Sequence, residues 1–315
     1  MNPQEIIKLE NKVTKTLTSH LKKTDIIIAG ISGGPDSIFL LQFLSKLPNK
    51  TVVAHLNHGL RKDSGKDELF TKKLAKSLSL QFHSKKADIS SLAKKSKKGI
   101  EETGRIARYK FFNHLKTKYK AAFIATAHHA DDNLETIILN LTRGATLKGL
   151  TGMQILSPPL FRPLLGISKD QILAYLKFKK IKFRTDKSNF SNKYTRNTIR
   201  NKIIPELKAL NPSITETIAK NTKNLREIQD FIEKEAEKYL QHQIPAKKFK
   251  SLHPALQKTI LLKLHEKNTG SNKNIENTHL DEVLKILNQN IGGKRKTLGS
   301  LTFSVRKNTI KVEKS

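Results

Sequence analysis

The run Ser32-Gly33-Gly34-Pro35-Asp36-Ser37 gathers two hydroxyls, two glycines and a carboxylate directly after the apolar stretch Ile26–Ile31 and ahead of Ile38-Phe39-Leu40-Leu41. A β-branched stretch of that length predicts a buried strand, and the glycine pair predicts a turn into a helix whose first N–H groups are free. Such an end seats phosphate. Gly33 and Gly34 let backbone amides approach phosphate oxygens, Ser32 and Ser37 add donors, and Pro35 suits the first helical turn, where no N–H partner is lost. Asp36 is the exception. A carboxylate beside bare phosphates needs a cation between them, so Asp36 is expected to ligate magnesium on a nucleotide. No lysine follows the glycines, which separates this run from the Walker loop. A plain Gly-Pro turn would account for neither Asp36 nor the serines.

A second constellation is Ala127-His128-His129-Ala130-Asp131-Asp132-Asn133-Leu134-Glu135-Thr136. Asp132 and Glu135 are three apart, hence neighbours on one helical face, with Asp131 adjoining. Acidic residues at a helix start are stabilised by the dipole without any function. Three carboxylates in so basic a chain nevertheless invert the local sign, and they could hold Mg²⁺ or receive an ammonium group. Asp36 and Asp131 are the candidate metal ligands. The histidine spacing is no zinc signature, and magnesium suits the oxygens better.

Further along, His55-Leu56-Asn57-His58-Gly59-Leu60-Arg61 ends an apolar run. His55 is expected to be hydrogen-bonded within the sheet, while for His58 and Arg61 contact with a phosphate or ribose is as reasonable as solvation. Glu101–Tyr109 is helical in pattern and puts Arg105 and Arg108 on one face, for which a solvated, salt-bridged surface is the ordinary explanation. The stretch containing Asp186, Asn189, Tyr194, Arg196 and Arg200 is polar and arginine-bearing, suited to phosphate contacts.

These residues need a frame. Asp25–Ile31, Thr51–Leu56, Leu80–His83 and Ala121–Ala127 are expected strands separated by amphipathic stretches. Such alternation predicts an α/β fold, a doubly wound and mostly parallel sheet with helices on both faces. Ligands bind beyond the carboxyl ends of the strands in that architecture, where one crevice would collect the glycine loop, His55–Arg61 and Ala127–Glu135. From Pro212 the pattern turns helical, with helices expected over Pro254–Lys267 and His279–Asn288 and a closing hairpin of Leu298–Val305 and Thr309–Val312. Domains are therefore expected at 1–210 and 211–315, the second smaller and mainly helical.

Composition bounds the function. The 315 residues include 49 Lys and 11 Arg, carry a formal net charge of +33 and contain no cysteine. A field of that size favours a polyanion, nucleic acid being the usual one, although lysine-rich composition alone accounts for part of it. Because lysine is the default cation here, the scarce arginines mark places where a planar fork is needed. The absence of cysteine removes disulfides, thiolate metal sites and cysteine nucleophiles. No apolar run approaches a bilayer span, so the protein is expected in the cytoplasm and off the membrane.

The glycine loop resembles the pyrophosphate-binding loop of the N-type ATP pyrophosphatases. Taken in order, Ser32–Ser37, Asn57–Arg61, Glu101–Tyr109, Ala127–Thr136, Arg143-Gly144, Arg162-Pro163-Leu164-Leu165 and Asp186–Pro205 resemble the tRNA(Ile)-lysidine synthetases. That resemblance implies binding of ATP and Mg²⁺ and adenylation of the C2 oxygen of the wobble cytidine in the CAU-anticodon tRNA(Ile). Displacement of AMP by the ε-amine of L-lysine would then give lysidine. It assigns Ser32, Gly33, Gly34, Pro35, Asp36 and Ser37 to ATP and pyrophosphate, and Asp132 and Glu135 to lysine, joined by Arg108 or Arg105. Gly104 stands where the family usually has alanine, and the C-terminal part is shorter than the two-part tail of some members. Two other readings stay open: an ammonia-dependent ligase acting on a small molecule, and a noncatalytic RNA-binding protein on a nucleotide fold.

Overall fold

The structure is a computed structural model that describes residues 1–59, 64–184, 195–240, 244–272, 275–289 and 294–314. Strands β1 (Ile27–Gly30), β2 (Thr51–Asn57), β3 (Gln81–Lys86), β4 (Phe123–Ala125), β5 (Leu156–Ser157) and β6 (Leu160–Phe161) form one sheet in the order β3-β2-β1-β4-β6-β5. Every pairing is parallel except β5 with β6. The parallel sheet is the expected one. β3 runs three residues past the expected His83, because on a sheet edge Ser84, Lys85 and Lys86 pair through backbone while their side chains face solvent.

Parallel strands are buried on both faces, and β1 shows why its sequence is uniformly apolar. Ile27, Ala29 and Ile31 pack on one side with Phe39, Leu40 and Tyr175, whereas Ile28 packs on the other with Phe111, Phe112 and Leu115. The helix Pro35–Leu44 that follows is apolar nearly all round and buries Ile38, Phe39, Leu40, Leu41, Phe43 and Leu44. A helix of that kind belongs inside, so the loop preceding it is held by core packing at both ends.

The chain order reverses at β1: β2 lies on one side and β4 on the other. A crevice forms at such a reversal, beyond the strands' carboxyl ends. The segments that leave β1, β2 and β4 there are the three that carry Ser32–Ser37, His58 and Asp131–Glu135.

The residues divide into two compact units, 1–143 with 152–220 and 144–151 with 221–315. The second unit has its own core of Phe249, Ile260, Leu261, Val283 and Phe303 among helices that include Pro254–Thr269 and Asn277–Gln289. Its sheet has three strands rather than the two of the expected hairpin: β7 (Arg295–Leu298), β8 (Leu301–Arg306) and β9 (Thr309–Lys314), antiparallel in that order. Gly299 causes the difference. At φ +60° it turns the chain between Leu298 and Leu301, a conformation that favours glycine. Among the described residues no helix is long and apolar enough to cross a membrane.

Gly30 lies where β1 meets the cavity, and a Cβ built there would stand 2.6 Å from Cε2 and 2.8 Å from Cζ of the buried Phe112 ring. Gly30→Ala is expected to destabilise the first unit by about 1–3 kcal/mol through overpacking. Urea denaturation should show this loss, and Phe112→Leu in the Gly30→Ala background should recover part of it; an unchanged midpoint in Gly30→Ala would refute the account.

Candidate active site

The loop after β1 folds around a hydroxyl. Ser37 Oγ donates to the Gly34 carbonyl at 2.9 Å and accepts from the amides of Ser32 and Gly33 at 3.3 and 3.2 Å, and Ser32 Oγ accepts from the Gly34 amide at 3.3 Å. Gly33 takes φ +92°, and its carbonyl accepts from the Arg184 amide at 2.9 Å. Gly34 precedes the first turn of the helix and Pro35 occupies that turn. The loop is thus shaped before any ligand arrives, with a helix N-terminus pointing from it.

Beside the loop is a cavity of about 560 Å³, lined among others by Gly30, Ser32, Asp36, Ser37, His58, Arg108, His128 and Asp132. That volume suits a nucleotide-sized ligand. His55 does not reach out from the strand; its Nδ1 is 2.9 Å from the Ile31 carbonyl, as expected of a sheet histidine. His58 Nε2 accepts from Arg108 Nη2 at 3.2 Å. Burial, reinforced by the Arg108 charge, lowers the His58 pKa to about 4, so the ring is a neutral acceptor at pH 7. Gly104 permits the approach of this ring, since a Cβ there would lie 3.1 Å from His58 Nδ1. Arg105 takes a different place from Arg108: its guanidinium stacks on Tyr109, 5.0 Å from the ring centroid. Arg61 lies outside the described residues, as do Asp186, Asn189 and Tyr194.

The acidic cluster opens the helix Ala130–Thr142. Asp132 lines the cavity; Glu135, one turn on, is 1% exposed. Both are held by one arginine. Arg200 donates from Nε to Glu135 Oε1 at 2.5 Å and from Nη2 to Glu135 Oε2 at 2.9 Å and Asp132 Oδ1 at 3.1 Å. Arg196 adds an ion pair to Glu135 Oε2 at 3.4 Å and donates to Thr136 Oγ1 at 2.8 Å. Arg200 belongs to a π-helical turn, Ile199–Ile203, set into the helical segment that begins at Thr195. Burial pushes the Glu135 carboxyl up, and the fork of Arg200 only partly offsets it. The expectation that Arg196 and Arg200 serve phosphate must therefore include these carboxylates as their partners in the folded chain.

Asp131 points elsewhere. Its Oδ2 accepts from the Lys169 amide at 2.7 Å and its Oδ1 pairs with Lys208 Nζ at 3.0 Å, while His129 Nδ1 stands 3.5 Å from Oδ2. Burial opposes its charge, yet these partners hold its pKa well below the usual carboxylate range. Both oxygens being engaged, Asp131 does not suit the metal-ligand role expected of it; it ties together helix starts. Among the described residues no group of three or more His, Asp or Glu is arranged to hold a metal. Asp36 does fit a cation that takes its remaining ligands from phosphate and water, the usual habit of magnesium. It borders the cavity at the loop, with Oδ1 2.5 Å from Lys169 Nζ and Oδ2 3.8 Å from His129 Nε2.

Residues 5–207 match the PP-loop domain family. A tRNA(Ile)-lysidine synthase from Petrotoga mobilis is 36% identical over 235 residues, which cover 72% of this chain and 75% of that protein. The chain belongs to the tRNA(Ile)-lysidine synthase family of PP-loop proteins. Another tRNA(Ile)-lysidine synthase, from Porphyromonas gingivalis, is 37% identical over 238 residues, 74% of this chain but 52% of that relative, so the chain spans about half the latter's length. The fold is shared more widely: a U34-tRNA thiolase, NcsA from Methanococcus maripaludis, superposes with a TM-score of 0.61 at 20% identity, covering 71% of this chain and 81% of its own.

Within this lysidine-synthase fold two cationic residues absent from the expected site contact its acids, Lys169 and His129. Lys169 had no local signal, being 133 residues from Asp36. His129 had one in its sequence neighbours Asp131 and Asp132. Its Nε2 lies 3.3 Å from Asp132 Oδ2, and with Asp131 and Asp36 it faces three carboxylates. Burial and Lys169 work against the imidazolium, but the three acids outweigh them and raise its pKa. A pKa above the unfolded value of about 6.5 means that this stabilisation is complete below that pH and is lost as pH rises through the folded value. His129→Gln is therefore expected to lower the melting temperature more at about pH 6 than at about pH 9. Equal losses at both would show a neutral ring in the folded protein.

Proposed function

We propose that the chain ligates L-lysine to C2 of the wobble cytidine of CAU-anticodon tRNA(Ile), through an adenylated cytidine and with release of pyrophosphate and AMP. One observation carries the reading: Ser32, Asp36 and Ser37 of the glycine loop and Asp132 border the same cavity, with Glu135 a turn behind. The names of the relatives support it.

In this reading Ser32, Gly33, Gly34 and Ser37 receive the β- and γ-phosphates of ATP through amides and hydroxyls, with Pro35 fixing the helix start. Asp36 would hold Mg²⁺, which when bound neutralises charge on the polyphosphate. Arg108, exposed and paired with a neutral His58, lines the cavity with its guanidinium where negative charge builds on the adenylate. Asp132 and Glu135 take the ε-amine of lysine. An amine attacks only after losing a proton, and a carboxylate whose pKa is pushed up by burial is a better acceptor for it. Arg200 competes for these oxygens, so it must share them with the incoming amine or yield them. The chain's charge of +33 favours tRNA as the polyanion, with the second unit proposed to add contacts to it.

Mass analysis of the wobble nucleoside after incubation with CAU-anticodon tRNA, ATP and lysine tests the proposal directly. AMP and pyrophosphate should accumulate when tRNA and lysine are both present. Turnover on ammonia without RNA would indicate a small-molecule ligase, and no turnover under any condition a noncatalytic binder. Asp36→Ala is expected to abolish adenylation, whereas Glu135→Ala should chiefly raise the lysine requirement; identical defects in both steps would undo this division of roles. Affinity for tRNA should fall steeply and linearly on a log–log plot against salt, as phosphate contacts demand.

A further inference from the structure

The loop contains no lysine, yet a lysine stands at it. Lys169 Nζ lies 2.5 Å from Asp36 Oδ1, and among the described residues no other lysine or arginine is ion-paired to a side chain of Ser32–Ser37. Its backbone is fixed independently of that contact. The Lys169 amide donates to Asp131 Oδ2 at 2.7 Å, the Ala130 amide donates to the Ile167 carbonyl at 2.9 Å, and Ser168 caps the helix Lys169–Phe178 in a reciprocal bond with Gln171. The side chain is 31% exposed, so the ammonium is accessible at the end of a flexible four-carbon stem.

A polyphosphate entering this loop meets the Asp36 carboxylate. Mutual repulsion has to be relieved by cations, and a lysine ammonium is a common point-charge partner for phosphate. We propose that Lys169 is a polyphosphate-binding residue, delivered to the loop from another helix start, whose ammonium leaves its pairing with Asp36 to contact the pyrophosphate moiety of ATP. This rests on the reading that the loop receives ATP, and it adds a residue that performs from a distance what the in-loop lysine does in a Walker loop. The competing explanation is a purely structural Lys169–Asp36 ion pair.

Calorimetric titration of the full chain with inorganic pyrophosphate, ATP and AMP separates the two. Lys169→Met is expected to weaken pyrophosphate and ATP about tenfold to a hundredfold, as loss of a charge-assisted contact should, and AMP less than about twofold. Lys169→Arg should recover most of the affinity, and Lys169→Gln should reproduce the loss if the Met variant does not fold. In an Asp36→Asn background, titrated without magnesium, a structural pair has already been broken, so Lys169→Met should then be silent. A continued loss of pyrophosphate affinity supports direct contact, and silence overturns it. If the unaltered chain binds neither ATP nor pyrophosphate, the nucleotide reading falls and this inference with it. If it binds both and Lys169→Met binds them equally well, this inference alone falls.

Discussion

Four carboxylates crowd the carboxyl edge of one sheet, and their mutual repulsion is the constraint on which this site depends. Asp36, Asp131, Asp132 and Glu135 come from two helix starts in a region largely withdrawn from water. Like charges about 4 Å apart at a protein surface repel by about 4 kcal/mol, more than a typical hydrogen bond returns. Cations must therefore interleave. His129 stands among three of the acids, Lys169 neutralises Asp36, Lys208 neutralises Asp131, and Arg196 and Arg200 close on Glu135. The helix dipoles at both starts assist but do not suffice alone.

This arrangement divides the acids by task. Asp131 is spent on joining three segments, since its oxygens engage the Lys169 amide and Lys208. Asp36 and Asp132 border the cavity and keep contacts that a ligand's charge can replace. Glu135 is sealed from solvent behind a guanidinium fork, which keeps a buried charge paired and preserves its orientation. Adjacent residues on a helix diverge in direction by about 100°, which is why Asp131 and Asp132 perform different work despite identical chemistry.

Much of this was legible in the sequence because the signals are local. The loop, the strand before it and the buried helix after it lie within Ile26–Leu44, and each follows from composition over a few residues. The acidic helix start and the parallel sheet were equally plain. What the sequence hid is pairing across distance: Lys169 with Asp36, and Arg200 with Glu135 at a separation of 65 residues. Lysines abound in this chain, so no single one stands out by type, and Asp131 looked like a ligand because its partners were out of view. The second sheet gained a strand for a simpler reason, a glycine turn within what had the pattern of one continuous strand.

Arg200 reaches the acids from a π-helical turn, and such a turn carries one residue more than the α-helical turn it replaces. The aim of its guanidinium is consequently set by chain length as well as by side-chain identity. Excising Asn201 from this turn would restore regular winding and leave the flanking segments nearly in phase, while shifting the residues inside the turn around the axis relative to them. Every charged group would survive such an edit, yet the fork would face away from Glu135. Register, in this corner of the molecule, is as much a determinant of the site as chemistry.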